Sequence, residues 1–323
     1  MKKERLENFS LGGDATKKSG VFKLGIVGCG TMGQEIAMTA SSRGIEVVFI
    51  DISDERIQTV MNSIESQLQE KINHWGMTSS DMKSILSRIH GYVGYEVLRE
   101  CRMVIEAVMS KKNNSSLPLR HEIFEKIENV VDRETVIASN ASTKVIDDLS
   151  VVLEHPERAI GMHFLSPVMD VEVIEVNRSW KTSDDAFKTV VQLAKMMNKQ
   201  IIHVNGTPGN VSTRIIIPMI NEACQLLMEG VSTVKEIDEC MQFGFGMQLG
   251  PFALADKIGL DKLIKWMEGL FNEYGNMIYK PSPILKRLVR AGFVGMHAGE
   301  GFYIYENGER KEKQGSIYSL GKD

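Results

Sequence analysis

Short apolar runs alternate with amphipathic segments up to about residue 205, and amphipathic segments dominate after it. Lys23–Val27, Glu46–Asp51, Met103–Ala107, Val136–Ser139 and Ala159–Met162 are brief and apolar, which predicts buried strands. Val171–Val176 and Ile201–Val204 predict two more. Between them, Thr31–Arg43 reads as a helix that stops near Gly44. Asp54–Trp75 reads as a long helix with Ile57, Val60, Ile64, Leu68 and Ile72 on one face. Ser79–Arg88 predicts a second helix running back along it, so that a helical hairpin occupies about 54–90. Asp184–Met197 is a further helix. Strands and helices in alternation predict an α/β fold with a doubly wound, mainly parallel sheet.

The turn formers Asn205-Gly206-Thr207-Pro208-Gly209 mark a boundary. Beyond it, Val211–Glu229, Val234–Phe243, Pro251–Ala255, Leu260–Tyr274 and Pro283–Ala291 all read as helices. The first of these is expected to place Ile215, Met219, Ala223 and Leu226 on one stripe and to kink at Pro218. Too few strands remain for a second sheet. The expected organisation is a tail over 1–21, a sheet domain over 22–205 and an all-helical C-terminal domain over 206–323. Ser110–Leu119 is polar and of low complexity, and is expected to be mobile.

Chemistry enters at the first strand–helix junction. Gly28-Cys29-Gly30-Thr31-Met32-Gly33 follows a predicted strand and opens a predicted helix, and Asp51 ends the next strand. This is the Rossmann arrangement for a dinucleotide. Gly28 allows the tight turn, Gly30 lets the backbone approach a pyrophosphate, and Gly33 lets the helix pack close to the strand. The free N–H groups at the helix start, from Thr31 and Met32 onward, face the phosphates. Asp51 accepts from a ribose diol and repels a 2′-phosphate, so the expected cofactor is NAD rather than NADP.

Composition narrows the remaining classes. The 323 residues suffice for two domains, and 43% hydrophobic with 25% charged residues is ordinary for a globular protein. A net charge of −4 argues against nucleic acid as the partner, and no apolar run reaches membrane-spanning length. The mixed charges of Met1–Gly20 fit neither a signal nor a transit peptide, so a cytoplasmic location is expected. Cys29, Cys101, Cys224 and Cys240 show no metal-ligand spacing, which predicts no metal site and inert thiols.

His163 follows the strand Ala159–Met162, at the carboxyl edge where open α/β sheets bind ligands. Glu175 lies twelve residues on. A histidine base needs a carboxylate that fixes its tautomer and steadies the imidazolium. Taken alone, however, the two residues read more readily as a backbone-satisfied histidine and an edge-strand charge.

The surrounding segments change this. Ala138-Ser139-Asn140-Ala141-Ser142, Gly161-Met162-His163-Phe164-Leu165-Ser166-Pro167 and Val173-Ile174-Glu175-Val176 occur in that order. Pro208-Gly209, Asn221-Glu222-Ala223 and Gly250-Pro251-Phe252-Ala253-Leu254-Ala255-Asp256 follow. Ile258-Gly259-Leu260-Asp261, Pro281-Ser282-Pro283 and Gly299-Glu300-Gly301-Phe302-Tyr303 complete the series. Over roughly Phe22 to Tyr305 the chain resembles the L-3-hydroxyacyl-CoA dehydrogenase family, most nearly its short-chain 3-hydroxybutyryl-CoA branch. The resemblance implies a CoA-ester substrate, NAD and a homodimer built on the helical domain. It implies that His163 is the base, Glu175 its carboxylate partner and Ser142 the serine that hydrogen-bonds the reacting oxygen.

Several polar positions depart from the family pattern. Its substrate-holding asparagine falls at Thr213, and an asparagine near the nicotinamide falls at Ser166. A cofactor-side glutamate falls at Ser110, and the following lysine at Arg120. The lysine before the final G-x-G-F-Y falls at His297. In the helical hairpin, the serine and lysine that hold coenzyme A fall at Gln67 and His74. Lys71, Lys83 and Arg88 are other cations on that hairpin. The alterations keep two other readings open: a dehydrogenase of a hydroxy acid without CoA, as in the lambda-crystallin (L-gulonate dehydrogenase) type, and a weakly active NAD-binding protein.

Overall fold

The computed structural model of the chain describes residues 22–73, 76–108, 116–306 and 309–313. The expected tail over 1–21 lies outside them. Five strands run parallel: β1 (Lys23–Val27), β2 (Glu46–Ile50), β3 (Ile89–Tyr92), β4 (Met103–Glu106) and β5 (Val136–Ser139). β6 (Ala159–Phe164) continues them, and β7 (Val173–Arg178) and β8 (Gln200–Asn205) complete an eight-stranded sheet in the order β3-β2-β1-β4-β5-β6-β7-β8. β7 runs antiparallel to β6, and β8 is parallel to β7. Only residues 165–172 separate β6 from β7, too few for the helical crossover that a parallel pair requires.

The sheet is covered on both faces. α1 (Thr31–Ser42), the hairpin α2 (Asp54–Asn73) and α3 (Ser79–Leu86), and α6 (Asp184–Met196) bury Ile36, Val60, Ile64 and Leu193 against Leu24, Ile26 and Phe49. α4 (Ser116–Glu128) and α5 (Ile146–Ser150) bury Phe124, Ile127 and Leu149 against Val27, Val48 and Ile50. Alternate residues of a strand point to opposite faces, so these near-continuous apolar runs suit a sheet buried twice. The strand order reverses at β1, which opens a crevice at the carboxyl ends of β1 and β4.

The C-terminal region packs α7 (Asn210–Met228), α8 (Val234–Phe245), α9 (Pro251–Ile258), α10 (Leu260–Tyr274) and α11 (Pro283–Arg290) around Phe252, Leu263, Met267 and Phe302. Two buried aspartates tie its segments together. Asp238 of α8 accepts from the N–H groups of Phe252 and Ala253 in the first turn of α9, and from the Tyr303 hydroxyl. Asp256 of α9 accepts from the N–H groups of Phe302 and Tyr303 and from the Tyr305 hydroxyl. Among the described residues, no helix is long and apolar enough to cross a membrane.

Five expectations need correction. β6 extends through Phe164, so His163 lies within the strand rather than after it. β3, α4 and α5 were not expected. α4 begins at Ser116, inside the segment read as low complexity, because Leu117, Ile123, Phe124 and Ile127 find the sheet; residues 109–115 lie outside the described set. α7 is continuous through Pro218, and it buries Ile217, Ile220, Cys224 and Leu227 while Ile215 is 65% exposed. Of the expected stripe, Ala223 is buried and Met219 and Leu226 pack against the core, so only Ile215 falls outside it; the helix is apolar around most of its circumference, which widens the buried face. Finally, β9 (Ile304–Glu306) and β10 (Glu309–Lys311) form a two-stranded antiparallel sheet in the C-terminal region.

Candidate active site

The glycine turn closes the carboxyl end of β1. Gly28 has φ +88°, and a Cβ there would lie 2.6 Å from a Val108 methyl. A Cβ on Gly33 would lie 2.5 Å from the Gly28 carbonyl oxygen, so only glycine lets α1 pack so close to the turn. Gly30 caps α1 without a side-chain hydrogen bond, and a Cβ there would meet open space. The first-turn N–H groups, beginning at exposed Thr31 and half-buried Met32, thus face an open cradle of the kind a pyrophosphate fills. Asp51 stands just past β2; it accepts from the Ile52 N–H at 2.9 Å and lies 3.5 Å from the Arg56 Nε. Burial and the Asp51 charge push the Cys29 thiol far up, so it is no nucleophile.

His163 and Glu175 sit directly opposite each other in the antiparallel β6–β7 register, which puts their side chains on the same face. Glu175 Oε2 lies 2.8 Å from His163 Nδ1. The carboxylate fixes the proton on Nδ1 and leaves the Nε2 lone pair outward. There the Ser142 hydroxyl meets Nε2 at 3.0 Å. Ser142 lies just beyond β5, so three neighbouring strands deliver a Ser–His–Glu relay at one edge. The antiparallel turn at β7 is what makes Glu175 the partner of His163.

The first turn of α7 completes the surroundings of Glu175. The N–H groups of Val211 and Ser212 donate to Oε1 at 2.9 and 2.7 Å, and the Ser212 hydroxyl donates to Oε2 at 2.6 Å. Burial opposes ionisation, but the hydrogen bonds from His163 and Ser212 hold the carboxyl below its ordinary range. One residue earlier, the Asn210 amide donates to the Ser142 carbonyl at 3.4 Å and accepts from Asn177. One residue later, Thr213 is buried and its hydroxyl has no protein partner.

The other sequence-selected residues divide. The Ser166 hydroxyl donates to Glu35 Oε1, and Glu35 also accepts from the Val168 N–H. Arg120 is engaged with buried Glu106 in an ion pair and donates to the Val108 carbonyl. Glu106 in turn accepts from the Ser139 hydroxyl and the Val108 N–H. Gln67 donates to the Gln34 side chain, whose own amide donates to the Cys29 carbonyl, so the hairpin is tied to the glycine turn. His297 lies beside Gly259 at the start of α10. Lys71 faces Asp170 at 3.5 Å, and Arg88 donates to the Ser41 and Ser84 carbonyls. Ser110 and His74 lie outside the described residues.

Comparison with known proteins decides the class. Residues 23–207 match the family model for the 3-hydroxyacyl-CoA dehydrogenase NAD binding domain, and residues 209–305 match that for its C-terminal domain. The chain belongs to the 3-hydroxyacyl-CoA dehydrogenase family. A probable 3-hydroxybutyryl-CoA dehydrogenase of Bacillus subtilis is 36% identical over 281 residues, covering 87% of this chain and 96% of that one. The 3-hydroxybutyryl-CoA dehydrogenase of Clostridioides difficile is 33% identical over 283 residues, covering 88% and 99%. The crystal structure of (S)-3-hydroxybutyryl-CoA dehydrogenase PaaH1 from Ralstonia eutropha is 38% identical with a TM-score of 0.79, covering 89% of this chain and all of that one. This dehydrogenase is therefore an NAD-dependent oxidoreductase of the 3-hydroxyacyl-CoA class.

Sequence reasoning did not single out Glu35, Glu106, Asn210 or Ser212. The last two carried a usable signal, because Pro208-Gly209 marks a helix start and first-turn N–H groups seek an acceptor. The acceptor itself is remote in sequence.

Proposed function

We propose that the protein oxidises short-chain L-3-hydroxyacyl-CoA esters of the 3-hydroxybutyryl class to 3-oxoacyl-CoA, and catalyses the reverse, with His163 as general base. The observation that carries this reading is the Ser142–His163–Glu175 relay. His163 Nε2 removes the proton of the 3-hydroxyl, and Ser142 donates to the same oxygen and fixes its position. Glu175 steadies the imidazolium that results. Bound NAD supplies the acceptor for the hydride leaving C3. The glycine turn, the α1 N-terminus and Asp51 fit its pyrophosphate and ribose. In the reverse direction protonated His163 returns the proton to the oxygen. Thr213 offers its unpartnered hydroxyl to the substrate, and Ser166, Arg120 and His297 serve the cofactor side of the cleft; Ser110 falls at the family's cofactor-side glutamate.

CoA is held along the α2–α3 hairpin, with Gln67 and His74 at the positions of the family's polar handle. The working form is a cytoplasmic homodimer with its interface on the helical region; Val231, Phe243 and Phe245 there are 62%, 83% and 75% exposed. The deciding test is oxidation of NADH with acetoacetyl-CoA beside free acetoacetate. Turnover of the CoA ester alone supports the reading. Turnover of the free acid points to the non-CoA type, and binding of NADH without turnover of either points to a weakly active NAD-binding protein. A stable monomer by light scattering at micromolar concentration overturns the dimer.

A further inference from the structure

We propose that Ser212 is a positioning residue of the dehydrogenase: its hydroxyl, delivered by the helical region, sets how strongly Glu175 holds the proton on His163. Oε2 of Glu175 is shared. It accepts from His163 Nδ1 at 2.8 Å and from the Ser212 hydroxyl at 2.6 Å, while Oε1 is filled by two backbone N–H groups. Hydroxyl and imidazole therefore compete for charge on one oxygen. Each donor weakens the acceptor for the other, and in a buried site that coupling is stronger than in water. The surroundings leave His163 as the titratable neighbour of the carboxylate on these elements. β6 presents His163 opposite Glu175 and β8 presents Ile202; α7 presents Val211 and Ser212, and the chain after β5 presents neutral Ser142 to the far side of the imidazole.

The sign follows directly. Without the hydroxyl, Oε2 keeps more of its charge and the imidazolium is better stabilised. The proton is then taken up at a higher pH. Oxidation, which needs the free base, loses its acid limb earlier. Reduction, which needs the imidazolium, persists to higher pH. Both profiles move together, which loss of packing does not produce.

The role rests on His163 being the base, so the test includes a measurement independent of turnover. Ser212→Ala keeps the backbone N–H bonds and is compatible with a helix. It is expected to move the midpoint of the His163 imidazole resonance, followed by NMR in the free protein, upward by about 0.5–1 pH unit. The kcat/KM profiles for acetoacetyl-CoA reduction and 3-hydroxybutyryl-CoA oxidation should shift by the same amount. Ser212→Thr, which restores the hydroxyl, should return all three to the parental position. Should the alanine variant fail to fold, Ser212→Cys supplies a much weaker donor in the same space and an intermediate shift. An unmoved imidazole midpoint in a folded Ala or Cys variant overturns the proposal, whatever happens to the rate. A moved midpoint with no CoA-ester turnover in the parent leaves Ser212 in its role and overturns the substrate reading instead.

Discussion

Glu175 in the sheet and Asp256 in the helical region are both buried carboxylates, and each accepts two backbone N–H groups and one hydroxyl. Their charged or titratable neighbours differ. Glu175 also receives His163, and its carboxyl is held below the ordinary range. Asp256 has the Lys313 charge nearby instead; burial outweighs both its hydrogen bonds and that charge and pushes the carboxyl up to about 6. The same carboxylate clasp thus serves two ends. Beside His163 it orients an imidazole whose Nε2 faces outward. Beside two tyrosines it ties the end of α9 to the chain at 302–305, and a Cβ on Gly301 would collide with its oxygen. What sets the two buried carboxylates apart is what each one orients, not burial itself.

The widest break in this comparison should come from His163→Gln, which removes the proposed base. Turnover of acetoacetyl-CoA should fall about 10²–10⁴-fold with little change in NADH affinity or melting temperature. Near-parental turnover would remove His163 from the chemistry. Glu175→Gln should cost less, about 10–100-fold, because the imidazole survives but loses its charged partner. Its acid limb in the oxidation direction should move to lower pH, opposite to the shift expected for Ser212→Ala.

Asp256→Asn should act on stability instead. The amide turns an N–H₂ toward groups that need an acceptor, at a cost of about 1–3 kcal/mol. The melting temperature should drop by several degrees while kcat measured well below it stays close to parental. A large loss of kcat without loss of stability would place Asp256 in the active site and collapse the distinction.

The smallest effect is in the pH dependence. Asp256 binds its proton more tightly in the fold than an ordinary aspartate does. Its contribution to stability therefore grows as pH falls through about 6 toward the ordinary value, and shrinks as pH rises. Glu175 works oppositely, because its folded carboxyl is held low: its contribution is complete above the ordinary glutamate range and is lost on acidification. Thermal melts from pH 7 to 5 should show the parent gaining on Asp256→Asn. Parallel curves for the two proteins would show that Asp256 is ionised throughout.

The glycine turn, α1, β1, β2 and Asp51 were legible because their constraints are local. A tight turn, a close helix and a carboxylate at the next strand end all lie within one strand–helix–strand unit. The periodicity of α2, with Val60, Ile64 and Leu68 buried, was legible for the same reason. The segment at 116–128 was not, because its polar start hides an apolar face that matters only once the sheet exists. Ile215 shares the expected stripe of α7 with Met219, Ala223 and Leu226 but is exposed, since a helix with apolar residues on most sides has no single preferred face until its neighbours are fixed.

The sequence by itself determined the kind of sheet, the dinucleotide turn and the membership in a dehydrogenase family, and it singled out Ser142, His163 and Glu175. Only the tertiary structure decided how they meet. β7 returns antiparallel and puts Glu175 opposite His163. The helix after Pro208-Gly209 then brings Ser212 onto the same oxygen, although it lies 37 residues beyond Glu175. Gln67 and Arg120, selected as ligand contacts, were likewise found engaged with Gln34 and Glu106. Residue types and local spacing record what a side chain can do. Strand direction, register and helix docking are set by burying both faces of the sheet at once, and they determine which other side chain it does it with.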